Sequence, residues 1–355
     1  MLFAQRQEAI LRAVRLHGAV RVTEIAERLD VSQMTVRRDI NVLAEGGLVA
    51  RVHGGATLPR AARQAPGRQP VVAHGHGERW TVGMVVPAAS HYHREVIQGA
   101  RSAAESMGAR LSLGVSCYDL GEDRIQAERL LDSGVDGLLL TPSAPLGEAG
   151  PSLEWIAELP VPVTIVERRR DPRAGLDALD HVTSDHEQGA LSAARHLAGL
   201  GHRRIALLAT ATPTTGWLAR GLDTATEVFG LSREAPRVLD HVPGEARLLG
   251  SFLDEVIASE ATAAIVHTDE QAVLLAETAR TRGLRIPADL ALVSYDDAFA
   301  ALANVPLTAV APPRHAVGRT AAALLVRRLQ EGAAHVPPQQ TLLAPRINIR
   351  ASTTS

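Results

Sequence analysis

Residues 32–40 read Ser-Gln-Met-Thr-Val-Arg-Arg-Asp-Ile (SQMTVRRDI), a helix-capping serine followed closely by two adjacent arginines. Val36, Ile40 and Leu43 recur at i, i+4 and i+7, the spacing of a helix with one buried face. Gln33, Thr35, Arg38 and Asn41 fall away from that face and would point outward. Arginine can grip guanine O6 and N7 with two hydrogen bonds, and Gln or Asn can do the same for adenine N6 and N7. A short helix that presents this row of side chains is chemically suited to the edges of base pairs.

The flanking sequence supplies the rest of such a unit. A helical pattern over Arg6–Leu16 buries Ile10, Ala13 and Val14 and stops at His17-Gly18. A second, near Thr23–Leu29, buries Ile25, Ala26 and Leu29. The tight turn Asp30-Val31-Ser32 then opens the third, which makes a helix-turn-helix whose latter helix lies in the DNA major groove. Neighbouring helical residues diverge by about 100°, so Arg37 and Arg38 cannot reach one target. One is expected at a base edge and the other at a phosphate, with Arg38 the more outward. After Gly46-Gly47, the run Leu48–Ala56 alternates and breaks at Gly54-Gly55, which predicts a β-wing holding Arg51 and His53 near the phosphates. The candidate DNA contacts are Arg21, Ser32, Gln33, Thr35, Arg37, Arg38, Asn41, Arg51 and His53.

Charge agrees with this placement. Residues 1–70 hold eleven Arg against six Asp and Glu, while the whole chain has a net charge of −2, so a basic head precedes an acidic body. A basic head suits a polyanionic partner. All 37 basic residues among the 355 are arginines. That excludes lysine Schiff-base chemistry and the phosphate-loop lysine of ATPases. The single cysteine, Cys117, fits a reducing compartment. Arg6, Glu8, Arg12 and Arg15 interrupt any signal-peptide core, so a cytoplasmic location is expected.

Residues 57–79 lack apolar periodicity and are rich in Pro and Gly, which predicts a linker between a head (1–56) and a body (80–352). In the body, apolar strands alternate with helical patterns. Strands are expected at Thr81–Val86, Arg110–Val115, Gly137–Thr141 and Val163–Glu167, then at Arg204–Ala209, Arg237–Asp240, Ala263–His267 and Ala291–Tyr295. Helices are expected between them, for example at Glu95–Met107, Glu122–Leu131, Glu187–Leu200 and Glu270–Arg282. Two such series predict an α/β body of two lobes, each a doubly wound parallel sheet. The first lobe is expected at about 80–183 and 305–333, the second at about 184–304 and 334–352. Ligands of open α/β sheets sit beyond the carboxyl ends of the strands. The candidates there are Ser90, His91, Tyr92, Asp119, Glu167, Trp217, Thr268, Asp269 and Asp296, a set of carboxylates, hydroxyls and aromatics suited to a small sugar-like effector. A hydroxyl or carboxylate just after a strand also commonly caps the next helix.

Two family resemblances attach to these residues. Arg6-Gln7, Ile25-Ala26, VSQMTVRRDI (31–40), Gly46-Gly47-Leu48 and Arg51-Val-His-Gly-Gly-Ala56 resemble the winged helix-turn-helix of the DeoR family, which implies a DNA-binding transcription regulator. Thr81–Pro87, Val135–Pro142, Gly199–Ala206, Thr268–Ala272, Gly283–Pro287 and Leu292–Asp297 resemble the LacI-family sensor domain, similar in fold to periplasmic sugar-binding proteins. Pro306–Thr308 and Gly318–Leu325 extend that resemblance. It implies that Asp296 accepts sugar hydroxyls, that Thr268 bonds the ligand and that Glu167 contacts it from the first lobe. Where the sensor family commonly has an arginine in the helix after Thr215, this chain has Leu218 beside Trp217, which favours a neutral sugar stacked on Trp217. The sensor family's own helix-turn-helix and hinge helix are absent.

The expected protein is a transcriptional repressor, homodimeric or tetrameric, that binds duplex operator DNA under the control of a small sugar-like effector. No cofactor or metal is expected and no membrane association. Two rivals are a sugar-acting enzyme with a regulatory head and a sugar-binding receptor. No Gly-x-Gly-x-x-Gly follows Val86, no Gly-x-Ser-x-Gly elbow occurs, and the His186-Glu187 start of a zinc motif meets Ala190 where a second histidine is needed.

Overall fold

The computed structural model describes residues 10, 14, 19–29, 31–45, 49–52, 55–57, 80–89, 91–144, 153–169, 176–241, 246–332 and 337–354. The chain divides into two compact units, Met1–His74 and Gly75–Ser355. The expected linker 57–79 lies outside the described residues after Thr57.

The first unit contains β1 (Ala19–Arg21), α1 (Val22–Leu29), α2 (Gln33–Glu45), β2 (Ala50–Val52) and β3 (Gly55–Thr57). Val36, Ile40 and Leu43 of α2 are buried together with Ile10, Val14, Ile25, Ala26 and Ala56, so the periodicity of 32–40 sets the packing face. β3 pairs antiparallel with β2, as expected of a wing, and also with β1. Strand β1 has no counterpart in the sequence reading, because three residues are too few to show alternation.

The second unit has two six-stranded sheets. The first contains β4 (Trp80–Val86), β5 (Ala109–Val115), β6 (Gly137–Leu140), β7 (Val163–Val166), β8 (Asp180–Ser184) and β14 (Gln340–Leu343), in the order β14-β8-β7-β6-β4-β5. The second contains β9 (Ile205–Thr210), β10 (Arg237–His241), β11 (Ala263–His267), β12 (Ala291–Tyr295), β13 (Thr308–Ala311) and β15 (Arg346–Asn348), in the order β10-β9-β11-β12-β13-β15. Every pairing in these sheets is parallel except β13 with β15. Strand side chains alternate faces, and both faces are apolar. Val82, Met84 and Val86 pack on α3 (His91–Ser106) and α10 (Arg314–Glu331), while Val85 packs on the opposite side with Leu138, Leu140 and Ile165.

The expected lobe boundaries need correcting near the C-terminus. Of the segment 305–333, expected in the first lobe, α10 packs there, yet β13 pairs in register with Val293–Tyr295 in the second sheet. Of the segment 334–352, expected in the second lobe, β15 pairs there, yet β14 pairs with His181–Ser184 in the first. The chain therefore passes between lobes at residue 185, at 312–313 and at 344–345.

Glycine permits the closest helix contact. A Cβ on Gly318 of α10 would lie 1.8 Å from the Val96 carbonyl oxygen of α3, and one on Gly99 would lie 2.0 Å from that of His315. Helix α10 is also tied to β8 by a buried two-pronged ion pair, Arg328 Nε and Nη2 to Asp180 at 2.7 and 2.9 Å.

Candidate functional site

In the head, Ser32 precedes α2, and its Oγ accepts the backbone N–H of Thr35 at 3.2 Å while sharing a hydrogen bond with the Thr35 hydroxyl at 2.9 Å. This cap fixes the start of α2, and the buried face then forces Gln33, Arg37, Arg38 and Asn41 outward, where all four are exposed. Thr35 is half-buried beside the cap. Asp39 turns inward and is buried, a position that the outward pattern did not reveal. Met34, 75% exposed in the middle of the outward face, was also missed; an apolar side chain there is the type that meets a thymine methyl. Arg21 lies on β1 and Arg51 on β2, whereas His53 lies outside the described residues.

In the body, each sheet changes its winding direction beside a strand whose carboxyl end faces the crevice: β4/β6 in the first, β9/β11 in the second. The residues directly after β7 and β12 are topologically equivalent, and both are acidic. Glu167 has φ 53 and gives its N–H to Val182 at 2.9 Å; Asp296 has φ 105 and gives its N–H to Val310 at 3.0 Å. Left-handed backbone is uncommon for such residues and marks the two positions as constrained.

Their carboxylates differ. Glu167 is buried and accepts four bonds: from Tyr92 Oη at 3.0 Å, Thr183 Oγ1 at 3.3 Å, Ser184 N at 3.0 Å and Ser184 Oγ at 3.0 Å. About four is the capacity of a carboxylate. Glu167, expected to contact an effector from the first lobe, is thus engaged within the fold, where it holds the Tyr92 ring. The Asp296 carboxylate has no hydrogen-bond partner among the described residues. Burial, then the charge of Asp269, holds it well above the usual carboxylate range, against the pull of Arg314.

Other expected effector residues are engaged in the fold. Asp119 caps α4 (Leu120–Asp132) by accepting Gly121 N at 2.9 Å and Glu122 N at 3.1 Å. Asp269 opens α9 (Asp269–Thr281), is buried, and accepts from Ser294 Oγ and from the N–H groups of Ala298 and Phe299 at 2.6 and 2.9 Å. Both carboxylates, expected to contact an effector, are thus engaged within the fold, because orphan backbone N–H groups nearby claim their oxygens. Thr268 precedes α9 without a side-chain cap bond. Trp217 lies on α7 (Thr215–Phe229), with the Arg169 guanidinium 4.4 Å and the Arg220 guanidinium 5.1 Å from its ring centre. The ring expected to be open for a stacked sugar already carries two cations. His91 begins α3, and Ser90 lies outside the described residues.

The structure adds groups that the sequence reading passed over. Arg314, the first residue of α10, is buried; its Nη2 bonds Glu95 at 3.0 Å, and its guanidinium lies 5.5 Å from the Tyr92 ring centre. Arg168 is buried and its Nη1 bonds the Glu167 carbonyl at 2.8 Å. Arg169 reaches from the first lobe to Glu187 on α6 (His186–Gly199) of the second at 2.7 Å. Three buried histidines are kept neutral chiefly by burial: His93 and His267 are pushed down to about 3 and His186 to about 4. Arg168 was legible as the residue after a predicted strand. Arg314 follows the unrecognised strand β13, so the place to look was never marked.

Comparisons with known proteins can be set beside this geometry. Residues 6–61 match the DeoR-like helix-turn-helix domain, and residues 194–353 match the periplasmic binding protein-like domain. An arabinose metabolism transcriptional repressor of Geobacillus stearothermophilus is 26% identical over 320 residues, 87% of this chain and 84% of that protein. The HTH-type transcriptional regulator DegA of Bacillus subtilis is 25% identical over 334 residues, 91% of this chain and 90% of that protein. Among solved structures, the transcription regulator GntR from Chromobacterium violaceum has a TM-score of 0.64 at 24% identity, over 77% of this chain and 99% of that one. A LacI-family regulator from Enterococcus faecium with bound ribose has a TM-score of 0.61 at 23% identity, over 77% and 98%. These structures share the fold of the body. Among the described residues, no helix is long and apolar enough to cross a membrane.

Proposed function

We propose, for a DNA-binding transcription regulator that joins a DeoR-like helix-turn-helix domain to a periplasmic-binding-protein-like domain, that it is a cytoplasmic repressor of sugar metabolism released or engaged by a small polyhydroxylated metabolite. The effector enters the cleft between the two lobes. The observation that carries this reading is the half-buried Asp296 carboxylate, which has no hydrogen-bond partner among the described residues and stands at the carboxyl end of a parallel sheet. A carboxylate there accepts hydrogen bonds from paired hydroxyls. The arabinose repressor relative and the ribose-bound structural neighbour support the same ligand class.

The DNA side rests on Gln33, Arg37, Arg38 and Asn41, with Arg21, Arg51 and His53 as further phosphate contacts. A homodimer reads two half-sites, in keeping with helix-turn-helix regulators generally. The effector acts by binding one arrangement of the lobes more tightly than the other. The test is titration of the full chain against DNA from the neighbourhood of its own gene, with and without sugars. Arg38→Ala is expected to weaken DNA binding by about 1–3 kcal/mol, and affinity is expected to fall steeply with salt. Unchanged affinity of the variant, together with a flat salt profile, would remove the phosphate and base contacts assigned to α2.

A further inference from the structure

Several buried polar atoms without a hydrogen-bond partner among the described residues stand at the carboxyl ends of the two sheets: Arg314 Nε and Nη1, Arg168 Nε, His93 Nδ1, Thr141 Oγ1 and His267 Nδ1. Buried polar groups are normally paired, and buried charges still more so. Unpartnered buried donors such as those of Arg314 and Arg168 mark a place built for something else to bond. The sense of the groups is informative. The arginine nitrogens can only donate, whereas the histidine nitrogens and the threonine hydroxyl can adapt.

Among the described residues, the charge of each arginine is answered only in part. The Arg314 side chain is only 5% exposed, and its one carboxylate partner among the described residues, Glu95, stands at 47% exposure towards solvent. Arg168 bonds a backbone carbonyl, and the Glu167 carboxylate that could have answered it is filled by Tyr92, Thr183 and Ser184. Asp296 lies close enough for Arg314 to influence its ionisation but makes no hydrogen bond to it. The arginine fork is the side chain best shaped to hold an oxyanion through two parallel bonds.

We infer that the effector is a hydroxylated metabolite bearing an oxyanion, a carboxylate or a phosphate, with the oxyanion held by Arg314 and the hydroxyls by Asp296. This rests on the reading of the cleft as the effector site. It reverses the preference for a neutral sugar drawn from Leu218: the cation missing at that helix position is supplied from the crossing strand-to-helix junction at Arg314.

The test uses the full chain and matched sets built on common aldopentose and aldohexose skeletons: the neutral sugar, its aldonate and its terminal phosphate. Binding is read by calorimetry and by the shift in thermal midpoint, with inorganic phosphate as a separate probe. The expected result is that, on at least one skeleton, an oxyanion-bearing member binds at least tenfold tighter than its neutral parent. Preference between aldonate and phosphate then identifies the oxyanion. Arg314→Gln is expected to erase the preference, and Arg314→Lys, which keeps the charge but not the fork, to retain part of it. If Arg314→Gln does not fold, the wild-type preference and the lysine variant still decide. Tighter binding of the neutral members would overturn the inference and leave the cleft as the effector site. Absence of binding by every member would overturn both.

Discussion

Glu167 and Asp296 occupy the same place in two copies of one topology, and the lobes use them oppositely. Each follows the fourth strand of its sheet, each takes a left-handed backbone, and each anchors its N–H on the next strand. In the first lobe the following strand is β8, whose Thr183 and Ser184 turn hydroxyls towards Glu167 and fill it. In the second the following strand is β13, whose Val310 and Ala311 side chains offer only carbon. The composition of the neighbouring strand thus decides whether an acidic residue becomes part of the scaffold or stays open to a ligand. The same reasoning separates Arg328, matched two-pronged by Asp180, from Arg314, matched once.

Acid probes this contrast with the largest effect. His93, His186 and His267 have folded values of about 3, 4 and 3, against about 6.5 when unfolded. As pH falls below about 6.5, the unfolded chain takes up protons that the folded chain refuses, so stability drops towards pH 4. Asp296 acts in the other direction. Its raised folded value lets the folded chain keep a proton that the unfolded chain has lost, so acid favours folding through this one group. Each of the three histidines contributes up to about 1.4 kcal/mol of stability per pH unit in this window, offset in part by Asp296. Denaturant titrations from pH 6.5 to 4.5 measure the slope, and Asp296→Asn should steepen it. An unchanged slope in that variant would show that Asp296 ionises normally and would erase its contrast with Glu167.

The next effect in size comes from Glu167→Ala. Removing the carboxylate strands the Ser184 hydroxyl and N–H and the Tyr92 hydroxyl and leaves the Thr183 hydroxyl only the Ser184 carbonyl, an expected loss of about 3–5 kcal/mol of stability. Chemical denaturation of the body's transition checks it. A loss below about 1 kcal/mol would mean that the hub is replaceable and that Glu167 is as open as Asp296.

How much of this was legible follows from the same residues. The apolar strands β4, β6, β7, β9, β11 and β12 announce themselves, because burial on both faces leaves continuous runs of Val, Leu, Ile and Ala. The stretch Asp180–Ser184 does not, since four of its five residues are polar. They are buried all the same because Arg328, two backbone carbonyls and Glu167 answer them. In the head, the i, i+4, i+7 pattern marked the outward face of α2 correctly but did not expose the burial of Asp39. In the cleft, Asp296 could be found from its position after a strand. Asp119 and Asp269 satisfied the same rule and turned out to serve the backbone. Only the hydrogen-bond geometry separates these cases.

The smallest effect on stability, and the sharpest on function, belongs to Asp296→Asn. Glu167→Ala removes four satisfied bonds, whereas this change removes none among the described residues and relieves a desolvated carboxylate. Asparagine also tolerates a positive φ better than most residues. At pH 7 the variant should therefore be as stable as the parent or up to about 1 kcal/mol more stable, while its response to the effector is lost. The paired readout distinguishes the two roles that a buried acid can play. A scaffold acid loses stability when neutralised, and a ligand-facing acid loses only its ligand. If the variant were destabilised by several kcal/mol, an unseen partner would be holding Asp296. The two lobes would then treat their acidic residues alike.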